Sequence, residues 1–211
     1  MRCVALLSAM LMLSAQSTLA ETQDRVMTVQ GWVSASDLGR FLPHEHGMSS
    51  FGATEAQAAA YDRHTAFDTV FPYLTKVKSL GLATLADCTA AYFGRDPELL
   101  KMLADSTSVR IITNTGYYAA AKDRYVPASA YTESADQIAA RWIAEFQEGV
   151  AGTGIRPGFI KIGIDGAPLS EIDAKSVRAS AITHRQTGLT IASHTGGHPE
   201  AVNQQLEIHA A

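Results

Sequence analysis

Five short apolar runs recur along the chain, and a helix-length stretch follows each. The runs span residues 41–46, 84–88, 109–114, 159–164 and 189–194. They are rich in β-branched residues and too short for helices, so they predict buried strands. Helices are predicted over 66–79, 96–106, 132–150, 170–187 and 199–211. Pro97 suits a first helical turn behind a capping Asp96, and Ser170 caps a turn that carries Glu171 and Asp173. Tyr73, Trp142 and Phe146 fall at helical spacing among apolar residues and are assigned to the core. Strands alternating with helices at this spacing make an α/β chain with a parallel sheet.

The first residues follow another pattern. Arg2 precedes an apolar block from Val4 to Ala15, small Ser17, Thr18 and Ala20 follow, and Glu21 opens a polar stretch. This is the layout of a secretory signal peptide over residues 1–20, with a buried N-terminal helix as the alternative. The expectation is a periplasmic or secreted domain over residues 21–211. No apolar run reaches the roughly 20 residues of a membrane span, so no membrane partner is expected of the mature form. Cys88 is the only cysteine after residue 20, so that domain has no internal disulfide. A net charge of -4 argues against nucleic acid as a partner, because such proteins usually carry a basic face.

Polar residues gather where the predicted strands end, which is where parallel α/β proteins build their sites. His44 and His46 are two apart, so on a strand both rings share a face. Convergence on one metal ion is one reading, and two surface histidines is the other. His194 ends the fifth run in the same way. Lys161 sits among Phe159, Ile160, Ile162 and Ile164, where an ammonium is costly to bury. Either the side chain snorkels to an edge, or its amine is neutralised or modified. Asp87 and Cys88 end the second run, with packing and a capping carboxylate favoured over site lining. Asp165 either touches the pocket or is solvated in a loop. His64 and His184 are expected to be exposed. Gly152, Gly154 and Gly158 do not form a dinucleotide loop, because the third glycine is one position late and a strand follows.

The ordered set Thr28-Val29-Gln30-Gly31, Pro43-His44-Glu45-His46, Gly94-Arg95-Asp96, Thr115-Gly116-Tyr117-Tyr118, residues 152–161 and Ser193-His194-Thr195-Gly196 resembles the phosphotriesterase family. These are binuclear metal hydrolases of the amidohydrolase superfamily with a TIM-barrel fold. The resemblance runs from about Val26 to the last residue. It implies that His44 and His46 bind one metal, that Lys161 is carboxylated and bridges both metals, and that His194 binds the second. It implies a substrate-lining role for Tyr118. Two divalent ions, zinc foremost, are the implied cofactors, and a homodimer is the implied assembly. The implied activity is hydrolysis of a small-molecule ester (a phosphotriester, lactone or carboxyl ester) through a metal-bridging hydroxide.

The family pattern has eight βα units, with further metal ligands on its sixth and eighth strands. This sequence supplies five units behind a short N-terminal β-hairpin, so the resemblance implies an incomplete TIM (β/α)8 barrel and a C-terminally truncated chain. A non-catalytic fragment lacking those two ligands is the alternative. A small-molecule binder on an α/β scaffold is a third reading; it needs neither the histidine pair nor the buried lysine.

Overall fold

The computed structural model describes residues 24–211, and the expected signal peptide lies outside the described residues. Strands β1 (Arg25–Thr28) and β2 (Gly31–Ser34) pair antiparallel as the expected hairpin. Thr28 Oγ1 closes its turn by donating to Gly31 O at 2.8 Å.

Six further strands follow: β3 (Phe41–Glu45), β4 (Thr84–Asp87), β5 (Arg110–Ile112), β6 (Asn114–Thr115), β7 (Phe159–Ile164) and β8 (Thr190–Thr195). They pair in parallel and in chain order, as sheets β3-β4-β5 and β6-β7-β8. Among the described residues, β3 and β8 each have a partner on one side only. The helices are α1 (Glu55–Ala59), α2 (Arg63–Ser79), α3 (Pro97–Thr107), α4 (Ser129–Thr132), α5 (Ala135–Glu148), α6 (Glu171–Thr187) and α7 (Pro199–Ala210).

Local chemistry sets these boundaries. Asp62 accepts from the Thr65 N–H at 2.8 Å and starts α2 three residues earlier than the apolar pattern predicts. Asp96 caps α3 by accepting from the N–H groups of Glu98 and Leu99. Ser134 and Gln137 form a capping box, so α5 starts at Ala135, and residues from Ser129 to Thr132 make a separate turn. A second capping box, Ser170 with Asp173, opens α6.

Two expectations need correction. The third run is not one strand, because it breaks at Thr113. Asn114 Nδ2 donates to Asp87 O at 2.8 Å and Thr89 O at 2.9 Å, so a side chain makes the bonds that a continued ladder would make. The backbone is then free to pair with β7 instead of β4. Tyr73 is not core, being 72% exposed. The apolar face of α2 runs through Phe67, Val70, Phe71, Leu74 and Val77, and Tyr73 projects from its margin into solvent.

The strands alternate as a two-faced sheet must. Ile160, Ile162 and Ile164 point toward the helices and pack with Ile138, Trp142 and Val177. Phe159 faces the other way and packs with Ala86, Cys88 and Ile112. Lys161 and Gly163 share that second face. A separate cluster joins Leu85 and Ile111 to Leu99 and Leu103 of α3.

Two contacts bind the strand ends. Arg95 makes a two-pronged pair with Glu145 of α5, at 2.7 and 2.9 Å, and also donates to Asn114 O at 2.7 Å. Gly116 takes a φ of +126° directly against the Lys161 backbone, where an added Cβ would overlap the carbonyl oxygen. Gly116→Ala is therefore expected to lower stability by roughly 2 kcal/mol or more, from left-handed strain plus overlap. Thermal unfolding checks this, and an unchanged midpoint would contradict so close an approach of β6 to β7.

Candidate metal centre

The site is built on the carboxyl ends of β3, β7 and β8. His44 lies on β3 and His46 just beyond it, with ring centroids 5.5 Å apart and planes at 61°. On β7 and β8, Lys161 pairs in register with Ala192 and Gly163 with His194. Lys161 and His194 therefore share the same face, about one pleat apart along the strands.

Lys161 is 2% exposed. Among the described residues its amine has no hydrogen-bond or ion-pair partner. Burial pushes its pKa down, against a smaller opposing influence of Cys88. The three imidazoles keep exposed edges. Crowding by neighbouring atoms lowers the pKa of His46, and positive charge on His44 and Lys161 lowers it further. His194 is lowered in the same way, by crowding, Lys161 and His44. Both rings thus feel His44 and Lys161, in keeping with the ring contact of His44 with His46 and the shared face of Lys161 and His194. Among the described residues, no three His, Cys, Asp or Glu side chains make a ready-made metal cage. The grouping is three imidazoles around a buried amine.

An aromatic wall runs along this set. Phe93 meets His46 edge-on at 5.7 Å and stacks on Tyr118 at 4.8 Å and 11°. Tyr118 in turn lies 5.3 Å from His194. Its ring rests on Gly163, where any side chain would collide with it. Behind Tyr118, Asp165 accepts from the N–H groups of Ala121 and Lys122 and so fastens the loop after β6 to the end of β7.

Asp87 is 1% exposed at the end of β4. Its carboxylate accepts from Gly47 N–H at 2.7 Å, Thr89 N–H at 3.3 Å and the Thr89 hydroxyl at 3.2 Å. Burial outweighs these bonds and pushes its pKa up to about 7. The folded chain therefore keeps this proton up to about pH 7, while the unfolded chain releases it near pH 4. The folded state binds more protons across that window, so stability falls as pH rises through it. Asp87→Asn keeps the Gly47 bond and is expected to flatten that slope. Urea midpoints from pH 4 to pH 7 measure it, and equal slopes in the two proteins would contradict the assignment.

Of the residues singled out from sequence, His44, His46, Lys161, His194 and Tyr118 are all brought together. His64 and His184 are exposed, as expected. A cleft of about 730 Å³ at the amino ends of the strands, lined by Gln30, Trp32 and Arg156, contains none of the site residues. Phe93 and Thr89 went unnoticed in the sequence. The only available signals were the aromatic directly before Gly94-Arg95-Asp96 and the Asp-x-Thr spacing at the end of a strand.

The phosphotriesterase family model matches residues 24–211. Aryldialkylphosphatase of Saccharolobus solfataricus is 26% identical over 179 residues, covering 83% of this chain and 55% of that protein. A phosphotriesterase-related protein of Nematostella vectensis is 30% identical over 219 residues, covering 89% of this chain and 61% of its own length. Organophosphorus hydrolase from Deinococcus radiodurans superposes with a TM-score of 0.75 at 27% identity, covering 88% of this chain and 58% of that one. The chain spans a little over half the length of these relatives. The match nonetheless covers nearly all the described residues in both sequence and structure, with parallel sheets and helices arranged alike. On that ground the chain belongs to the phosphotriesterase family.

Proposed function

We propose that this chain carries the first part of a metal-dependent hydrolytic centre that acts on ester bonds. Phosphotriesters, lactones and carboxyl esters are the substrate classes. The observation that carries the reading is Lys161, a buried amine without counter-charge among the described residues, beside His46 and His194. A neutral amine can add carbon dioxide, forming an N–C bond and releasing one proton. The product is an anionic oxygen donor where the fold otherwise holds a costly cation. Imidazole nitrogens and carboxylate-like oxygens suit zinc and neighbouring divalent ions, so the residues fit the binuclear metal dependence of the family.

In this reading His44 and His46 would hold one ion, His194 would hold the second, and carboxylated Lys161 would serve as the oxygen donor shared between them. When bound, such ions acidify a water and polarise the ester's carbonyl or phosphoryl oxygen. Tyr118 and Phe93 supply a flat apolar wall beside that centre for the substrate's organic groups. In the same reading, the two parallel three-stranded sheets supply five consecutive βα units of a (β/α)8 barrel wall. The signal-peptide pattern of residues 1–20 supports placing the domain from residue 21 in the periplasm or exterior.

The test is to load the chain with zinc in bicarbonate buffer and assay an aryl phosphotriester, a lactone and an aryl carboxyl ester. Zinc-dependent turnover of any of them supports the proposal. Zinc uptake without turnover of any of the three would make this chain a metal-binding segment and defeat the hydrolytic reading.

A further inference from the structure

Thr89 follows β4 and is 1% exposed, with every polar atom engaged. Its N–H donates to Asp87 Oδ2 at 3.3 Å, and its carbonyl accepts from Asn114 Nδ2 at 2.9 Å. Its hydroxyl lies 2.8 Å from Met48 O, 3.2 Å from Asp87 Oδ1 and 2.9 Å from His46 Nδ1. The backbone of Thr89 is therefore fixed from both sides, and only its hydroxyl proton has a choice of partner.

A hydroxyl has one proton and two lone pairs. Met48 O can only accept, and it is the nearest of the three neighbours, so the proton goes there. Giving the proton to Asp87 Oδ1 would leave the same result on the other side. In both arrangements Oγ1 presents a lone pair to His46 Nδ1. A ring nitrogen that faces a lone pair at 2.9 Å must carry the hydrogen. The remaining nitrogen, Nε2, is then unprotonated and free.

We infer that Thr89 is a positioning residue that locks His46 as its Nδ1–H tautomer and so presents Nε2 as the donor to a metal ion. The part of this inference that concerns metal rests on the hydrolytic-centre reading above; the part that concerns the tautomer does not. Partners on the outer nitrogen of a ligating imidazole fix its tautomer and ring orientation, and losing one weakens metal binding roughly 10–100-fold. Here that partner is held by two strands. Asp87 and Thr89 belong to the end of β4, while Asn114 reaches across from β6. Asp87 also accepts the Gly47 N–H, directly after His46, so one short stretch anchors both the ring and the backbone of this residue.

The experiment uses long-range 1H–15N spectra of the histidine rings in the metal-free chain, at mildly alkaline pH. The His46 signal is assigned by its loss in His46→Gln. Wild type and Thr89→Ser are expected to show a pyrrole-type Nδ1 and a pyridine-type Nε2 on His46. Thr89→Val, nearly the same shape without the hydroxyl, is expected to lose that preference. In chelator competition Thr89→Val should bind zinc roughly 10–100-fold more weakly than wild type, with Thr89→Ser restoring the affinity.

A pyridine-type Nδ1 in the wild type overturns the inference, as does a Thr89→Val protein equal to wild type in both readouts. If Thr89→Val fails to fold, the wild-type and Thr89→Ser spectra still decide. A Thr89-dependent Nδ1–H ring in a chain that takes up no zinc would uphold the tautomer and overturn the metal reading. Tight zinc binding that ignores Thr89 would do the reverse.

Discussion

Lys161→Met is expected to strip the chain of bound zinc while leaving its metal-free form at least as stable as before. These two effects have opposite signs because the lysine is buried without a counter-charge. Taking an ammonium out of water costs several kcal/mol unless it is paired, and the depressed pKa of Lys161 records that cost. Methionine fills a similar volume without charge, so the substitution leaves no large cavity. Even buried ion pairs can be replaced by well-packed apolar groups at no cost, or with a gain on the order of 1–4 kcal/mol. Metal binding should move the other way. Losing the central donor removes more than an outer-shell change would, so a fall of roughly 100-fold or more in zinc affinity is expected. Urea denaturation of the metal-free proteins and metal analysis of the loaded ones measure the two effects separately. If stability and metal content fall together, Lys161 is a packing residue and not a donor.

Arg95→Ala has the largest expected effect on folding itself. The Arg95 side chain is 6% exposed and Glu145 23%. Glu145 also accepts from Thr115 Oγ1 at 2.6 Å, and Arg95 donates to Asn114 O. Removing the guanidinium leaves the largely buried carboxylate without its cation, with only the Thr115 hydroxyl to support it, and takes the arginine donor from the Asn114 carbonyl. Breaking a buried pair from one side costs about 3–5 kcal/mol. The loss should fall on the contact between α5 and the ends of β4 and β6. The double substitution Arg95→Met with Glu145→Leu is expected to recover part of it, because no charge is then left unpaired. Urea midpoints for the two single variants and the double variant complete the cycle. A loss below about 1 kcal/mol for Arg95→Ala would show that water reaches Glu145 freely.

The strand–helix succession was legible because short apolar runs mark the strands and side-chain caps open four of the long helices, at Asp62, Asp96, Ser134 and Ser170. Ser170 and Asp96 mark their helices by side-chain chemistry that acts within three residues, so nothing distant is needed to find them. The break at Thr113 was not legible. It depends on Asn114 reaching the carbonyls of Asp87 and Thr89, and no local propensity encodes that. Tyr73 was misread because its helix has a wide apolar stripe, and periodicity alone does not settle a residue at its margin. His44, His46 and His194 were legible as polar residues at strand ends, and Lys161 as a lysine inside an apolar run. Thr89 was not, since its role depends on partners at 46, 48 and 87 that meet only after folding. Phe93 looked like an ordinary apolar residue, and only its stacking on Tyr118 and its edge-on contact with His46 distinguish it.

The central claim is that a carbamate on Lys161 joins the strand-end histidines into one metal centre. Carbon-13 NMR of the zinc-loaded chain in 13C-bicarbonate tests it most directly. The account predicts a single carbamate resonance that grows as zinc is added and is absent from Lys161→Met. A wild-type spectrum without that resonance, or one that persists in Lys161→Met, would contradict it.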